Sequence, residues 1–231
     1  MKSHDFLGGF KLGLPIALGY IPVSFSFGML AVQSGMSVWA AIIISLTNLT
    51  SAGQFAGMNL IAAGAGFTEL GITTLVINIR YMLMSLALSQ KIEKMPFARR
   101  ALISYGVTDE IFTVASTTDG KLNFPVMAGL ITSPTIGWVL GTVLGAFMNN
   151  ILPSAVISAL GITLYAMFIA IFVPPARKDR GILAVLIFAV ILSCILYYCV
   201  SGLSSGWATI ITAIAASAFG AVFFPKKEDN A

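Results

Sequence analysis

Residues 38–66 read VWAAIIISLTNLTSAGQFAGMNLIAAGAG, apolar at both ends and polar in the middle. The run is longer than the ~20 apolar residues that cross a bilayer. At its centre, however, stand Thr47, Asn48, Thr50, Ser51, Gly53 and Gln54, where lipid offers no hydrogen-bond partners. Backbone that leaves helical geometry at membrane depth persists only where protein or a water-filled cavity satisfies its polar groups. The stretch therefore reads as a broken helix or a hairpin that enters the membrane and returns. A blander reading is helix-packing polarity, because single Ser and Thr hydroxyls often bond back to a carbonyl of their own helix. Asn48-Leu49-Thr50 also matches a glycosylation acceptor, but at a depth no glycan reaches. Asn, Gln and several small residues gathered at one depth are costly, which favours a functional cluster formed by Asn48, Ser51, Gly53, Gln54 and Phe55.

The rest of the chain supports the membrane as its solvent. Of 231 residues, 58% are hydrophobic and only 10% charged, and the mean hydropathy is +0.94. Soluble domains carry roughly 25% charged residues to solvate their surface. The net charge of +4 is spread over short clusters between apolar runs, a topology signal and not a nucleic-acid footprint. Cys194 and Cys199, five residues apart in one apolar run, lie on different helical faces and suggest neither a disulfide nor a metal site.

Apolar runs fall at about 12–33, 38–66, 70–89, 101–118, 127–148, 153–174, 182–200 and 206–224. The basic clusters at Lys2 and Lys11, Lys91 to Arg100, Lys121, Arg177 to Arg180, and Lys226 with Lys227 should all face the cytoplasm. If the first run leaves the cytoplasm and 70–89 returns to Lys91, then 38–66 begins and ends outside. By the same logic 101–118 begins and ends inside. The expected fold is an all-α integral membrane protein, a single polytopic domain over 1–231. It has about six spanning helices, two re-entrant or broken hairpins at 38–66 and 101–118, and both termini cytoplasmic. Cysteines introduced at Ala63 and Asn123 should label from opposite faces of the membrane; label on a single face would remove the double-hairpin topology.

The second hairpin is polar too, with Ser104-Tyr105-Gly106-Val107-Thr108-Asp109-Glu110 at its centre. Arg80 stands midway along 70–89, about 15 Å of helix from Lys91 at 1.5 Å per residue, too deep to reach the interface easily. A cation there costs at least ~2.5 kcal/mol and needs an anion, carbonyls or water. The mid-segment acids are Asp109 and Glu110, its natural partners. A structural Arg–Asp pair that pins the hairpin is the alternative to a role in substrate or proton handling, and the two are compatible.

Four motifs in order carry a resemblance: Gly19-Tyr20-Ile21-Pro22-Val23-Ser24-Phe25-Ser26-Phe27-Gly28, Ser51-Ala52-Gly53-Gln54-Phe55, Asn78-Ile79-Arg80-Tyr81 and Thr108-Asp109-Glu110. From about residue 8 to 200 the chain resembles the azaleucine-resistance (AzlC-type) family. The resemblance implies the large subunit of a branched-chain amino acid exporter in the inner membrane, working with a small AzlD-type membrane subunit. It marks Gln54, Phe55, Asn78, Arg80, Tyr81, Thr108, Asp109 and Glu110 as characteristic positions.

Valine, leucine, isoleucine and methionine are zwitterions with an apolar tail, and their binding requires an anion site, a cation site and an apolar pocket. Backbone donors of a half-helix starting near Gly53 are aimed at the carboxylate in this reading, with Arg80 as a second donor. Asp109 or Glu110 holds the ammonium, and Phe55, Met58 and Phe112 line the tail pocket. No phosphate-binding Gly-Lys-Ser/Thr loop occurs, so transport is expected to be secondary, with no cofactor. Asp109 or Glu110, desolvated at depth, is the candidate carrier in a proton antiport. A passive channel or a non-transporting assembly subunit is the alternative. An intramembrane enzyme is disfavoured because the sole histidine, His4, precedes the first span. Gly137, Gly141 and Gly145 make a small-residue ridge suited to close helix packing. Asn149-Asn150 and Pro153 should mark a turn, and Pro174-Pro175 the end of the span before it reaches Arg177.

Overall fold

The computed structural model describes residues 5–148, 162–200 and 202–225. Ten helices are described: α1 Phe6–Gln33, α2 Val38–Thr47, α3 Ala52–Ala62, α4 Phe67–Ser89, α5 Phe97–Tyr105, α6 Asp109–Thr117, α7 Phe124–Met148, α8 Thr163–Lys178, α9 Arg180–Cys199 and α10 Ser205–Phe223. The protein is an all-helical membrane protein. Among the described residues five helices, α1, α4, α7, α9 and α10, are long and apolar enough to cross a bilayer. The expected span 153–174 and the turn at 149–153 lie largely outside the described residues, as does His4. The chain groups into two compact units, one from Met1–Met58 and Asn78–Leu164, the other from Asn59–Ile77 and Tyr165–Ala231.

The first unit is organised around α1 and α7, which run parallel and nearly touch along their backbones. Gly9 abuts Val126, Gly13 abuts Leu130, Gly137 abuts Ala17, Gly141 abuts Ile21 and Gly145 abuts Phe25. The ridge on α7 is thus used for packing inside the chain. Lipid tails are as apolar as leucine, so helices in a membrane associate through close van der Waals packing, which small residues permit. Ser24 on α1 bonds back to the Tyr20 carbonyl at 2.8 Å, so its hydroxyl sits satisfied in the seam. Trp138 is fully buried and meets the Tyr20 ring edge-on, with centroids 5.2 Å apart.

Both polar stretches are breaks between helices. The run 38–66 divides into α2 and α3 around Asn48–Ser51, and 101–118 lies within α5 and α6, which part around Gly106–Thr108. The ends of α5–α6 gather where α4 ends and α7 begins. The Lys91 ammonium donates to the Ser116 carbonyl at 2.5 Å, and the Arg99 guanidinium lies 5.3 Å from the Phe124 ring centroid. The Glu93 amide donates to the Leu122 carbonyl and the Leu122 amide to the Lys91 carbonyl, both at 3.0 Å. Phe6, beside Gly129, brings the start of α1 to the same end. This is hereafter the basic end. Leu88, Ile103, Val107, Ile111, Met127 and Leu130 form the apolar core that holds α5–α6 against α4 and α7. The α2–α3 break meets α1 and α7 farther from the basic end. Ser45 on α2 bonds Thr142 of α7 at 2.8 Å, and Phe55 on α3 meets Phe27 near the end of α1.

In the second unit, α9 and α10 pack through Phe188 and Phe219, stacked 4.5 Å apart and 7° from parallel. Ser204 caps α10 and donates its hydroxyl to the Glu69 carboxylate. No residue of α9 is buried, as suits a strongly apolar helix in lipid.

Two boundaries differ from expectation. The first helix starts at Phe6, not near residue 12, because the Asp5 carboxylate accepts from the Gly8 amide at 2.9 Å and caps it; Lys11 lies within the helix, exposed. Pro174-Pro175 do not end the span: α8 continues through them to Lys178. Proline's own φ is helical and its steric constraint acts on the preceding turn, so a terminal turn can follow it. The helix stops where the Asp179 carboxylate caps α9 through the Gly181 and Ile182 amides.

Candidate functional site

The first break is built by its own side chains. Asn48 adopts an extended backbone, and its carbonyl oxygen accepts from the Thr50 amide at 3.2 Å, a turn these side chains make readily. Ser51 has φ +47°, the left-handed region. A non-glycine residue there carries a conformational cost and points to an imposed geometry. The Thr50 hydroxyl then accepts from the Gly53 amide at 3.2 Å, capping α3. Of the donors at the start of this half-helix, the Gly53 amide is engaged by Thr50. A side chain at Gly53 would collide with Thr50 and crowd Asn78, which explains a glycine here.

The second break ends at Thr108, whose hydroxyl caps α6 through the Ile111 amide at 3.4 Å. Asp109 and Glu110 occupy the first turn of α6, where the helix dipole favours negative charge. Gly106 is pressed against the Ile131 side chain of α7.

Helix α4 links the two breaks. Asn78 accepts from the Thr50 hydroxyl. The Arg80 guanidinium pairs with the Asp109 carboxylate at 2.8 Å, donates to the Tyr81 hydroxyl at 3.3 Å and lies 5.0 Å from the Tyr81 ring centroid. The Tyr81 hydroxyl donates to the Thr50 carbonyl at 3.4 Å. Glu110 turns the other way and accepts from the Tyr20 hydroxyl at 2.6 Å, which also lies 2.7 Å from the Thr108 hydroxyl. Tyr105 donates to the Leu46 carbonyl, a second tie between the hairpins. Thr50 and Thr108 are buried at 4% and 2% exposure, whereas the Arg80 and Asp109 side chains keep 35% and 31%. The ion pair is thus half-buried, as are Asn78, Tyr81 and Glu110 around it. Three buried atoms on it or beside it, Ser51 Oγ, Gln54 Oε1 and Arg80 Nε, have no protein partner. Buried polar atoms are normally bonded, so these mark places for water or ligand.

Of the expected site residues, Asn78, Arg80, Tyr81, Thr108, Asp109 and Glu110 are brought together, with Asn48, Ser51 and Gly53 shaping the turn beside them. Gln54 and Phe55 point elsewhere. Gln54 donates to Ser45 at 3.1 Å, and Phe55 packs edge-on to Phe27 with centroids 5.5 Å apart. Phe55 and Met58 are buried and Phe112 packs against the α5–α7 core. Thr50, Tyr20, Tyr105, Ser45 and Thr142 belong to the network but were not among the expected site residues. A tyrosine hydroxyl inside an apolar run was the signal for Tyr20, and its partner Glu110 was an expected site residue, but nothing in the sequence pairs the two.

The family model described as AzlC protein matches residues 15–152, more than half of the chain. The chain belongs to the AzlC family. Every member of the polar network, from Tyr20 through Thr50 and Arg80 to Thr142, falls within the AzlC match. Relatives include the inner membrane protein YgaZ of Escherichia coli K12, 31% identical over 188 residues that make up 78% of this chain and 77% of that protein. An uncharacterized membrane protein of Archaeoglobus fulgidus is 32% identical over 75% of this chain and 77% of its own length. One from Helicobacter pylori 26695 is 26% identical over 64% and 67%. No solved structure matches significantly.

Proposed function

We propose that this protein is a secondary transporter that exports branched-chain amino acids across the inner membrane by proton antiport, together with a small AzlD-type membrane subunit. Membership of the AzlC family and relatives that are membrane proteins support a membrane transport role. The observation that carries the substrate class is the half-buried Arg80–Asp109 pair between two broken helices. A zwitterion has the same two charges as this pair at similar separation. It can exchange salt-bridge partners with it, carboxylate to Arg80 and ammonium to Asp109, with no net charge left at depth. Broken helices are how many secondary transporters build such midplane sites. Glu110, held by Tyr20 away from the ion pair, is then free of substrate duty and is the better placed of the two acids to carry a proton. In this reading the basic clusters, and with them both termini, face the cytoplasm, as the positive-inside rule expects.

The test is efflux of labelled valine, leucine, isoleucine and methionine from cells fed the matching dipeptides, with the small subunit co-expressed. Internal amino acid should fall against its gradient and the fall should saturate with internal concentration. Flux that never exceeds the gradient indicates a channel, and unchanged pools with the partner present overturn the substrate assignment.

A further inference from the structure

A cavity of about 120 Å³ lies between the end of α4 and α5. One water needs on the order of 10–15 Å³ of such space, so this one holds several. Its outer lining is Glu93, Lys94 and Arg100, all exposed. The half-buried Ser85 and Ser89 and the exposed Ser104 line it as well, beside the buried Leu88, Ile103 and Val107. Val107 is two residues from Asp109. On α4, Asn78, Tyr81, Ser85 and Ser89 follow at spacings of three and four, which places them on one face. That polar stripe joins Asn78 and Tyr81 of the network to the serines of the cavity wall, and Ser85 is roughly 7.5 Å of helix beyond Arg80 at 1.5 Å per residue.

Among the described residues of the first unit, the side of the first break is packed. Beyond the first break, Gln54, Ser45 and Thr142 form a hydrogen-bonded chain, and Phe27 and Phe55 interlock. All five are buried at 4% exposure or less. The two sides of the ion pair therefore differ: hydroxyls and space toward the basic end, packed side chains away from it.

We infer that the α4–α5 cavity is the vestibule through which an aliphatic zwitterion reaches Arg80 and Asp109 from the basic end, with the α2–α3 hairpin as the closed gate. The inference rests on the proposed export function for its ligand, but not for its location. Charges of both signs at the mouth suit both ends of a zwitterion, and the apolar wall beside the serines suits its tail.

The experiment places single cysteines at Ser85 and at Ser104 in a protein whose Cys194 and Cys199 are alanine, with Lys121→Cys marking the basic end. A membrane-impermeant methanethiosulfonate reagent is applied to vesicles of each orientation, in the presence and absence of leucine. Both vestibule cysteines should label from the face that labels Lys121→Cys, and leucine should reduce their labelling but not that of the marker. Labelling from the opposite face, or failure of both positions to label when the denatured protein does, overturns the vestibule. Correct-face labelling that leucine, valine and methionine leave unchanged supports the vestibule and overturns its proposed occupant, which separates it from failure of the transport reading.

Discussion

Transport should be lost when either Arg80 or Asp109 is neutralised, and removing both charges should restore the stability of the folded protein without restoring transport. The first half follows from what each charge does for a zwitterion. Truncating one partner of a buried, hydrogen-bonded charge pair costs ~2–5 kcal/mol; with about a third of each side chain exposed the lower end applies, and since each ~1.4 kcal/mol is a factor of ten, about thirtyfold in rate is expected. The second half follows from the pair's other duty. Arg80 and Asp109 join α4 to the tip of α5–α6, and a lone charge at this depth costs at least ~2.5 kcal/mol on insertion scales. Both side chains keep about a third of their exposure, so water relieves part of that penalty. Each single variant should lose on the order of 1–2 kcal/mol, below the loss for breaking a fully buried pair. In Arg80→Met with Asp109→Asn no charge is stranded, and thermal stability in detergent should return toward that of the parent.

The double variant separates the two roles because its two readouts need not move together. If the pair only pins the hairpin, restoring stability restores flux. If it also binds substrate, stability returns and uphill efflux of leucine does not. A stable double variant with parental efflux would remove Arg80 and Asp109 from the site and leave them as structure. The comparison needs equal amounts of folded protein in the membrane, since a rate loss caused by low abundance would mimic a binding defect.

The breaks at Asn48–Ser51 and Gly106–Thr108 were legible in the sequence because polar residues crowd where lipid offers them nothing. The Arg80–Asp109 pair was legible for a related reason: a mid-membrane cation must find an anion, and the mid-segment acids are adjacent. What the sequence does not contain is rotation. Asp109 and Glu110 stand about 100° apart around α6, and only the docking of that helix decides that one meets Arg80 while the other meets Tyr20. The same holds for Gln54 and Phe55, whose motif is conspicuous but whose side chains turn toward Ser45 and Phe27. Phe55, Met58 and Phe112 likewise stand near the breaks in sequence, but which neighbours they pack against is set by the docking of their helices. The glycine ridge on α7 was visible, yet not its partner. Gly9 and Gly13 on α1 supply the complementary surface, but small residues announce that a backbone comes close without saying which.

That close approach leads to the largest stability effect. Gly145→Leu should prevent the protein from accumulating in folded form, while Gly19→Leu should be tolerated. A Cβ at Gly145 would overlap the Phe25 carbonyl oxygen of α1, with the Phe25 backbone carbon behind it at 2.7 Å. A side chain in that position can rotate aside, but a carbonyl committed to a helix cannot. The remedy is for α1 and α7 to separate, which also releases the Gly137 and Gly141 contacts one and two turns away. Overpacking a core costs typically ~1–3 kcal/mol when neighbours yield; here the neighbour is backbone and the seam is continuous, so the upper end or more is expected. Gly19, on the exposed side of α1, has nothing within 4 Å of an added Cβ, and its replacement should leave the size-exclusion profile and Tm unchanged. The effect should reach the site as well, because α1 carries Tyr20 to Glu110 and α7 carries Thr142 to Ser45. A smaller step, Gly145→Ala, should then lower Tm and efflux together. Gly145→Leu with parental Tm would mean that α1 and α7 do not lie against each other in the membrane.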